Sequence, residues 1–351
     1  MKLLYGVNGV GSGHLTRAHI MIPKLQAAGA DVTTILSGRP ADKFKDIDAL
    51  PNPQFRQGLT IDQGDGGMSF IGTSLNIAQQ TPTLVRDVMN MDMSGYDLVI
   101  TDFEPISAWA AKRAGVPSIG VAHHFAFQHD VPKAGKYSPF MMFMNNIVPV
   151  DTPLGLHYDK FDQPILPPII DETKLANLSG GEVDPHKVLV YMDFEDQGKL
   201  ANMLREHPSH DFYIYATSNE ADIDDGNIHL RRRSREGFQR DFASSSGLIT
   251  NAGFTGTSEG LHLGKKMLVK PTMGQKEQES NALALEDLGY ASTMTSLNAE
   301  KVAQWLQEDK SVKITYPDTA QAITDWIAEG SWDDAHALSD ELWRTTTYDH
   351  S

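Results

Sequence analysis

A histidine at the end of a glycine-rich turn is the first residue of the chain that is suited to catalysis. The turn, Gly9-Val10-Gly11-Ser12-Gly13, follows an apolar run and leads into His14. Glycines permit a tight turn and let the backbone approach a ligand closely, so we expect Gly11, Ser12 and Gly13 to line a cleft. The positive end of a helix disfavours imidazolium, so a neutral His14 at this end suits the role of general base.

A carboxylate that could assist this base follows a second apolar run. Asp102 comes directly after Leu98–Thr101, and strand order predicts that it lies at the same edge of a sheet as His14. An acid there can orient the imidazole and stabilise its charged form. Asp102 could equally cap the following helix, and both roles stay open. Glu104 is the substitute candidate for the same function.

Two classes of nucleotide site are disfavoured by the sequence around this turn. His14 stands where a dinucleotide fingerprint requires its third glycine, and Leu36-Ser37-Gly38-Arg39 ends the second strand without an acid. Gly-Lys-Ser/Thr, which a triphosphatase phosphate loop needs, does not follow the turn. Nicotinamide dinucleotides and nucleoside triphosphates are therefore not the expected ligands.

The elements that must position these residues follow a βα alternation along the whole chain. Short apolar runs alternate with helical segments in both halves, which predicts an α/β fold with two Rossmann-like doubly wound domains. The proline-rich segment 163–170 has the stiffness of a connector. We expect an N-terminal domain over 1–166, a second domain over 167–324, and a helical tail over 325–351 that docks back on a domain. Ligands should bind in the cleft between the two sheets.

Composition and charge narrow the classes of function. The 351 residues contain 30 Lys+Arg and 46 Asp+Glu, a formal net charge of −16 that disfavours nucleic-acid binding. The chain has no cysteine, which excludes disulfides, thiolate metal sites and thiol nucleophiles. No apolar run approaches the roughly 18 residues of a membrane span, and the first residues predict a buried strand, not a signal peptide. The expected location is the cytoplasm.

Two further clusters invite a functional interpretation. His123 and His124 are adjacent, and neighbouring side chains on an extended chain point apart, so we expect them to line an acceptor pocket and not to share a metal. The cluster Met141-Met142-Phe143-Met144 is most simply core packing. Contact with an apolar acceptor or a membrane surface is the alternative, because methionine-rich surfaces adapt to varied apolar partners.

The most specific stretch lies in the second half. Thr250 ends a strand, and Asn251-Ala252-Gly253-Phe254-Thr255-Gly256 leads to a helix predicted to begin near Thr257. Backbone N–H groups at such a helix start can cradle a diphosphate. The carboxylate of Glu259 can accept hydrogen bonds from ribose hydroxyls, and the pair Glu277-Gln278 can bind sugar hydroxyls.

These segments, in this order, resemble the inverting GT-B glycosyltransferases. The relatives are the UDP-glycosyltransferases of plants and antibiotic producers and the bacterial enzyme that adds N-acetylglucosamine to lipid I. The resemblance implies that His14 is the base and Asp102 its partner acid, with no cofactor and no metal. The residues that it implies for donor binding are Gly253, Thr255, Gly256, Thr257, Ser258, Glu259, Glu277, Gln278 and Asn281, with Arg233 as an added cation.

The chain departs from that family pattern at several positions. Asn251 replaces the usual histidine of the donor loop, and Lys265-Lys266 replaces a Val/Ile-Pro step. Asp193-Phe194-Glu195-Asp196 stands in place of a Gly-Ser phosphate turn, and its acids would repel a diphosphate. Asn251 also stands where a retaining enzyme of this architecture would carry the first of its two acids, so inversion is favoured. A solvated strand end is the alternative role for Arg231-Arg232-Arg233.

The sequence therefore predicts transfer of a sugar from a nucleotide-diphosphate sugar, with UDP as the expected nucleotide, to an acceptor hydroxyl. The acceptor itself is not specified, and an apolar or lipid-linked molecule and peripheral contact with a membrane stay open. Two other functions also stay open. One is UDP-sugar 2-epimerisation, which needs no acceptor, and the other is non-catalytic binding of a nucleotide sugar.

Overall fold

The structure of the protein is a computed structural model. It describes residues 1–44, 47–59, 63–64, 67–68, 70–135, 146–171, 175, 182–330, 332 and 334–350. The methionine cluster 141–144 lies outside the described residues.

Strands and helices alternate along most of the described chain, as the pattern of apolar runs predicts. The strands are β1 (Lys2–Asn8), β2 (Asp31–Ser37), β3 (Gln54–Phe55), β4 (Gln63–Gly64), β5 (Gly67–Met68), β6 (Leu98–Asp102), β7 (Ser118–Ala122), β8 (Thr152–Gly155), β9 (Asp184–Tyr191), β10 (Asp211–Tyr215), β11 (Ile223–Asp225), β12 (Ile228–Arg231), β13 (Ser245–Thr250), β14 (Lys266–Val269), β15 (Ser292–Thr293), β16 (Val312–Thr315) and β17 (Thr347–His350). The helices are α1 (Gly13–Ala27), α2 (Phe70–Asn90), α3 (Pro105–Ala114), α4 (His123–Ala126), α5 (Gln197–Arg205), α6 (Arg235–Ser244), α7 (Phe254–His262), α8 (Lys276–Asp287), α9 (Ala299–Leu306), α10 (Thr319–Glu329) and α11 (Ala335–Thr345), with a 3₁₀ turn over Ala41–Lys43.

The first sheet has the strand order β3-β2-β1-β6-β7-β8 among the described residues, and all its pairs are parallel. Its central strands β1, β6 and β7 are apolar and buried almost throughout, as expected where helices cover both faces of a parallel sheet. The chain runs outward from β1 to β3 on one side and continues at β6 on the other. The crevice between the ends of β1 and β6 is therefore the switch point at which such sheets bind ligands.

The second sheet repeats this design. Its described strands have the order β11-β12-β10-β9-β13-β14-β15, with only the edge strand β11 antiparallel. Its switch point lies between β9 and β13, so the loops that follow Tyr191 and Thr250 leave the sheet side by side. The first of these loops contains the acidic turn Asp193–Asp196, and the second is the donor loop Asn251–Gly256. The chain is thus an α/β protein with two doubly wound sheets.

The C-terminal helices return to the first half of the chain. Helix α10 packs against α1, and Lys24 Nζ donates to Asp318 Oδ2 at 2.6 Å. In α11, Ser339 Oγ and Trp343 Nε1 both donate to the carbonyl of Ile165, at 2.7 and 2.6 Å. These bonds satisfy a buried backbone acceptor in the connector between the two sheets. Among the described helices, none has the length and apolar character needed to cross a membrane.

Candidate active site

The register of the first sheet brings His14 and Asp102 together. Strands β1 and β6 are parallel neighbours, and Val7 is paired with Asp102 at their carboxyl ends. The glycine turn leaves the end of β1 and opens α1, whose second residue is His14. Two side chains separated by 88 positions in sequence therefore start from the same edge of one sheet.

His14 and Asp102 are in direct contact, and Arg17 completes a buried cluster with them. His14 Nδ1 lies 2.7 Å from Asp102 Oδ1. Arg17 donates to the same carboxylate twice, from Nε to Oδ2 and from Nη2 to Oδ1, each at 2.7 Å. The exposed fractions are 7%, 4% and 0% for His14, Arg17 and Asp102. Sequence reasoning missed Arg17, although its spacing of three residues from His14 puts both on one helix face.

The charges in this cluster determine its protonation. Burial raises the pKa of Asp102, but the positive charge of Arg17 and contact with His14 outweigh burial and bring that pKa below its usual value. Burial lowers the pKa of His14; the charges of Arg17 and His124 add to this effect, and Asp102 opposes it without reversing it. The carboxylate is therefore ionised and the imidazole neutral. His14 Nδ1 lies near both the Asp102 carboxylate, which can only accept, and Arg17 Nη2, a donor at 2.8 Å. We assign the hydrogen to Nδ1, because Arg17 Nη2 already donates to Asp102 Oδ1, and the lone pair is then on Nε2.

Glu104, the substitute candidate, has a structural role. It is the N-cap of α3, and its carboxylate accepts from Ile106 N and Ser107 N at 2.9 and 2.6 Å. It also accepts from Ser37 Oγ at 2.6 Å. The capping role considered for Asp102 thus belongs to Glu104, two residues later. The intervening Phe103 has φ +55°, a region that bulky residues rarely adopt, so this turn carries backbone strain.

His124 lies against the catalytic candidate and contacts the second half of the chain. Its ring stacks on Phe103 at 4.2 Å between centroids and on His14 at 5.7 Å. Its Nε2 lies 3.2 Å from Glu277 Oε2, at the start of α8. Burial raises the pKa of Glu277, but His124, His123 and His14 together hold that pKa well below its usual range. Glu277 is therefore an anion at the junction of the two halves.

His123 also makes contacts across the two halves, in a different direction. Its Nε2 lies 2.6 Å from Asn281 Oδ1, its Nδ1 lies 2.7 Å from the carbonyl of Leu156, and its ring stacks on Phe254 at 3.9 Å. Burial lowers the pKa of His123 to about 4. Asn281 also donates to the carbonyl of Ala252 at 2.9 Å and is fully buried. The two adjacent histidines open the short helix α4, and each contacts a different residue of α8.

The hydroxyls of the donor loop are largely engaged within the protein. Thr257 Oγ1 is 2.6 Å from Tyr158 Oη, and it also donates within its own helix. Ser258 Oγ donates to the carbonyl of Phe254 at 2.8 Å, and both residues are at most 1% exposed. Helix α7 begins at Phe254, earlier than predicted, and its N-cap Gly253 offers no side-chain acceptor. A ligand at this helix start would therefore meet backbone N–H groups and Thr255.

The glycine turn and the donor loop meet at one point. A β-carbon on Gly13 would stand 2.7 Å from Thr255 Oγ1, so a larger residue here would require the Thr255 side chain to move. Gly11 has φ +88°, the left-handed region that also favours glycine, and Gly11 and Ser12 are exposed at the rim. A β-carbon on Gly256 would meet no atom within 4 Å, which shows open space beside the same helix start. The first turns of α1 and α7 thus face each other next to an opening.

Glu259 and Gln278, which the sequence predicts to contact a donor, are both buried. Glu259, in α7, is 7% exposed, and Gln278, in α8, is 5% exposed. Gln278 Oε1 accepts from Thr272 N at 2.8 Å, which fixes the loop before α8. Its amide nitrogen is the part of the side chain left for another acceptor.

The acids of the 193–196 turn have partners within the protein. Asp193 accepts from the backbone N–H and hydroxyl of Thr217, and Asp196 caps α5. Glu195 forms a 2.6 Å ion pair with Lys270, whose side chain is 10% exposed. Asn251 donates to the carbonyl of Lys270 at 3.0 Å. The negative charge at this switch point is thus compensated locally, which reduces the repulsion expected for a diphosphate.

The three consecutive arginines have different environments. Arg231 pairs with Asp224 at 2.6 Å and Arg232 with Asp222 at 3.4 Å. Arg233 is exposed, and within the described ranges no carboxylate pairs with it. Burial and the charge of Arg233 lower the pKa of Arg39, which follows β2 beside the glycine turn. Arg233 is therefore close enough to the first half of the chain to affect it electrostatically. The part of the chain that the structure describes contains no group of three or more histidines, aspartates or glutamates arranged to hold a metal ion.

Comparison with known proteins places this architecture in a family. The model of Glycosyl transferase family 1 matches residues 1–308. Solved structures share the fold over nearly the whole chain at low identity. The kitacinnamycin glycotransferase has a TM-score of 0.60 at 13% identity, covering 98% of each chain. Phytolacca americana UGT2, complexed with UDP-2-fluoro-glucose and pterostilbene, has 0.59 at 14%, covering 98% of this chain and 94% of that one.

A bacterial structure extends this set. Acinetobacter baumannii MurG has a TM-score of 0.55 at 16% identity, with 93% of this chain and 99% of that chain covered. A search of curated proteins finds no match. The chain belongs to Glycosyl transferase family 1, and it is a glycosyltransferase with the GT-B fold.

Proposed function

We propose that this glycosyltransferase moves a sugar, with inversion, from a nucleotide-diphosphate sugar to an acceptor hydroxyl, with His14 as the general base. UDP is the nucleotide we expect. The observation that supports this most is the 2.7 Å contact between His14 Nδ1 and Asp102 Oδ1 next to the helix start at Phe254. A base and an anion-binding helix end then face one substrate.

The protonation of the buried cluster suits base catalysis. Asp102 accepts from Nδ1–H and fixes the tautomer, so the lone pair of Nε2 can take the acceptor proton. The acceptor oxygen then attacks the anomeric carbon from the face opposite the diphosphate. The bond from the anomeric carbon to the diphosphate oxygen breaks, and its electron pair leaves with that oxygen. A single displacement of this kind inverts the anomeric configuration.

The start of α7 supports the assignment of the leaving group. Its first N–H groups have no acceptor within the helix, and no side chain caps them. They therefore offer aligned donors where negative charge develops on the diphosphate. Since this stabilisation comes from the protein, we expect turnover to survive treatment with a chelator. Glu259 is proposed for the ribose and Gln278 for the donor sugar.

The acceptor is proposed to be a molecule with an apolar surface. The partly exposed ring of His124, which stacks on the buried Phe103 and on His14, makes the surroundings of the base aromatic. Pterostilbene in Phytolacca americana UGT2 and the spinosyn aglycone in the rhamnosyltransferase SpnG are ligands of this kind, named for those two proteins only. Lipid-linked acceptors also have an apolar surface, so they belong in the same acceptor panel.

A panel of nucleotides and nucleotide sugars tests the donor assignment. A ligand that binds only the native state raises the melting temperature by mass action. We expect UDP and a UDP-sugar to raise it, and uridine to raise it far less at equal concentration. If nucleoside diphosphates of every base fail to raise it more than their nucleosides do, the proposed donor class is wrong.

Product analysis with the best donor separates the remaining functions. Transfer requires an acceptor, whereas a UDP-sugar 2-epimerase would convert the donor alone into an isomeric sugar. Binding of the donor without any product, with a broad acceptor panel, would indicate a non-catalytic binding protein. Repulsion of a diphosphate by the acids of the 193–196 turn would favour that last function, but these acids are compensated by Thr217, Lys270 and the start of α5.

A further inference from the structure

Arg17 is the one member of the buried cluster that the proposed mechanism has not used. It reaches the cluster from α1, one turn after His14, and is 4% exposed. A buried guanidinium is costly to desolvate unless it is paired and hydrogen-bonded. Asp102 supplies one charge for this pairing, and its two oxygens take Nε–H and one hydrogen of Nη2.

The remaining terminal nitrogen of Arg17 is directed elsewhere. Nη1 has no hydrogen-bond partner among the described residues, and a guanidinium carries two hydrogens there. The point where a β-carbon on Gly13 would stand is 3.4 Å from this Nη1 and 2.7 Å from Thr255 Oγ1. Arg17 Nη1 and the first turn of α7 therefore border the same small gap between the two halves.

This gap has the properties of an anion site on both sides. The first N–H groups of α7 are uncapped, and Thr255 adds a hydroxyl. Open space adjoins the same turn at Gly256. The guanidinium opposite is fixed by Asp102, so its free N–H groups are oriented before any ligand arrives. The atoms nearest to the β-carbon position of Gly13 belong to Thr255 and Arg17, and the acid of the second half that acts on the guanidinium is Glu277, which lies 3.2 Å from His124.

We propose that Arg17 is a further catalytic residue, which donates through Nη1 to the diphosphate of the donor while its other edge holds Asp102. This inference rests on the proposed function, since it requires a nucleotide-diphosphate sugar at α7. One guanidinium then connects the carboxylate that orients the base with the group that leaves.

The charge balance of the reaction explains why such a link is useful. Before reaction, Arg17 and Asp102 compensate each other and His14 is neutral. During transfer the acceptor proton moves to His14 Nε2, and the diphosphate oxygen takes the electron pair of the broken bond. The cluster gains one positive charge as the leaving group gains one negative charge. Arg17 contacts both, so the two charges form next to each other.

The alternative is that Arg17 only positions Asp102, and affinity for the diphosphate distinguishes the two roles. UDP, UMP and uridine are titrated against the wild type, Arg17→Lys and Gly13→Ala, with Arg86→Lys as a matched control at a position 67% exposed. Lysine keeps the charge beside Asp102 but cannot bind two partners in this geometry. Gly13→Ala leaves the ion pair in place and fills the gap with a methyl group.

We expect both site variants to bind UDP about 10- to 100-fold more weakly than the wild type does, with uridine affinity unchanged, as for loss of a charge-assisted hydrogen bond. Arg86→Lys should match the wild type. Circular dichroism and thermal unfolding identify variants that are folded. If folded Arg17→Lys and Gly13→Ala keep the wild-type ratio of UDP to uridine affinity, the inference is overturned while the proposed function stands. If the wild type itself shows no preference for UDP over uridine, the proposed donor fails, and the inference fails with it.

Discussion

The two sides of the candidate site satisfy their polar groups in different ways. On the N-terminal side, His14, Arg17 and Asp102 bond to one another within one sheet and its helix. On the C-terminal side, Thr257 and Asn281 are satisfied by Tyr158 and His123, which belong to the first half of the chain. The cluster on the first side is therefore held by hydrogen bonds within its own half, whereas the residues on the second side depend on contacts with the other half.

This difference suggests that the N-terminal side carries out catalysis and the C-terminal side binds the donor. The hydrogen bonds of this buried cluster all lie within one half of the chain, so its geometry suits a catalytic base. Side chains that bridge the halves hold the donor loop in place and leave backbone N–H groups and Thr255 to meet a ligand. We therefore expect substitutions of His14 and Asp102 to change turnover, and substitutions of the bridging residues to change stability and donor affinity.

The largest expected effect is that of removing the base. His14→Ala should reduce turnover of the best donor and acceptor by about two to four orders of magnitude, the range of general-base catalysis, with UDP affinity preserved. His186→Ala is a matched control, because His186 is exposed on the second half. Initial rates and UDP titrations measure the two quantities. Near-wild-type turnover of His14→Ala would reject His14 as the base.

Loss of the orienting acid should have the next largest effect. Asp102→Asn leaves Arg17 without its counter-charge and replaces a carboxylate, which can only accept, by an amide that can also donate to His14 Nδ1, so the tautomer of His14 is no longer fixed. We expect turnover to fall about 100-fold or more at saturating donor. Since the amide is nearly isosteric, circular dichroism should remain that of the wild type. Glu104→Gln tests the alternative acid, and a larger kinetic loss there would reverse the assignment.

The pH dependence of the reaction tests the charge of the cluster. Burial and Arg17 lower the pKa of His14, and the base is active when it is neutral. The acidic limb of kcat/KM should therefore have its midpoint below the ordinary value of about 6.5 for histidine. Activity is lost as the pH falls through that midpoint. An acidic limb above this value would mean that the Asp102 charge dominates over burial and Arg17.

The smallest effect should come from a bridging residue on the C-terminal side. Tyr158→Phe removes the 2.6 Å bond to Thr257 and leaves a buried hydroxyl with only its own helix as partner. We expect a loss of stability of about 0.5 to 1.5 kcal/mol and a modest loss of UDP affinity. Thermal unfolding with and without UDP measures both. A 100-fold loss of turnover in this folded variant would contradict the division between the two sides.

The fold and the contact of His14 with Asp102 could be predicted from the sequence, because the order of parallel strands determines which loops lie at the same edge of the sheet. The apolar run 98–101 of the sequence analysis matches β6 to within a residue. The position of Arg17 on the same helix face as His14 was predictable, since residues three apart on a helix are neighbours. Its pairing with Asp102 was not, because nothing in its local sequence distinguishes it from a surface arginine.

The hydrogen bonds between the donor-side residues and the first half of the chain could not be predicted from the sequence. The partner of Thr257 is 99 positions away and that of His123 is 158, and both belong to elements of the other half. Local patterns carry no information about such contacts. The capping of α3 by Glu104 in place of Asp102 depended on a difference of two residues in the helix start, which is within the ordinary error of a sequence boundary.

The most direct test of the account is the anomeric configuration of the transferred sugar. The best donor and an accepted hydroxyl compound are incubated with the wild-type protein, and proton NMR of the first product formed gives the configuration at the anomeric carbon. A single displacement assisted by His14 predicts the configuration opposite to that of the donor. A product that retains the donor configuration would contradict the account.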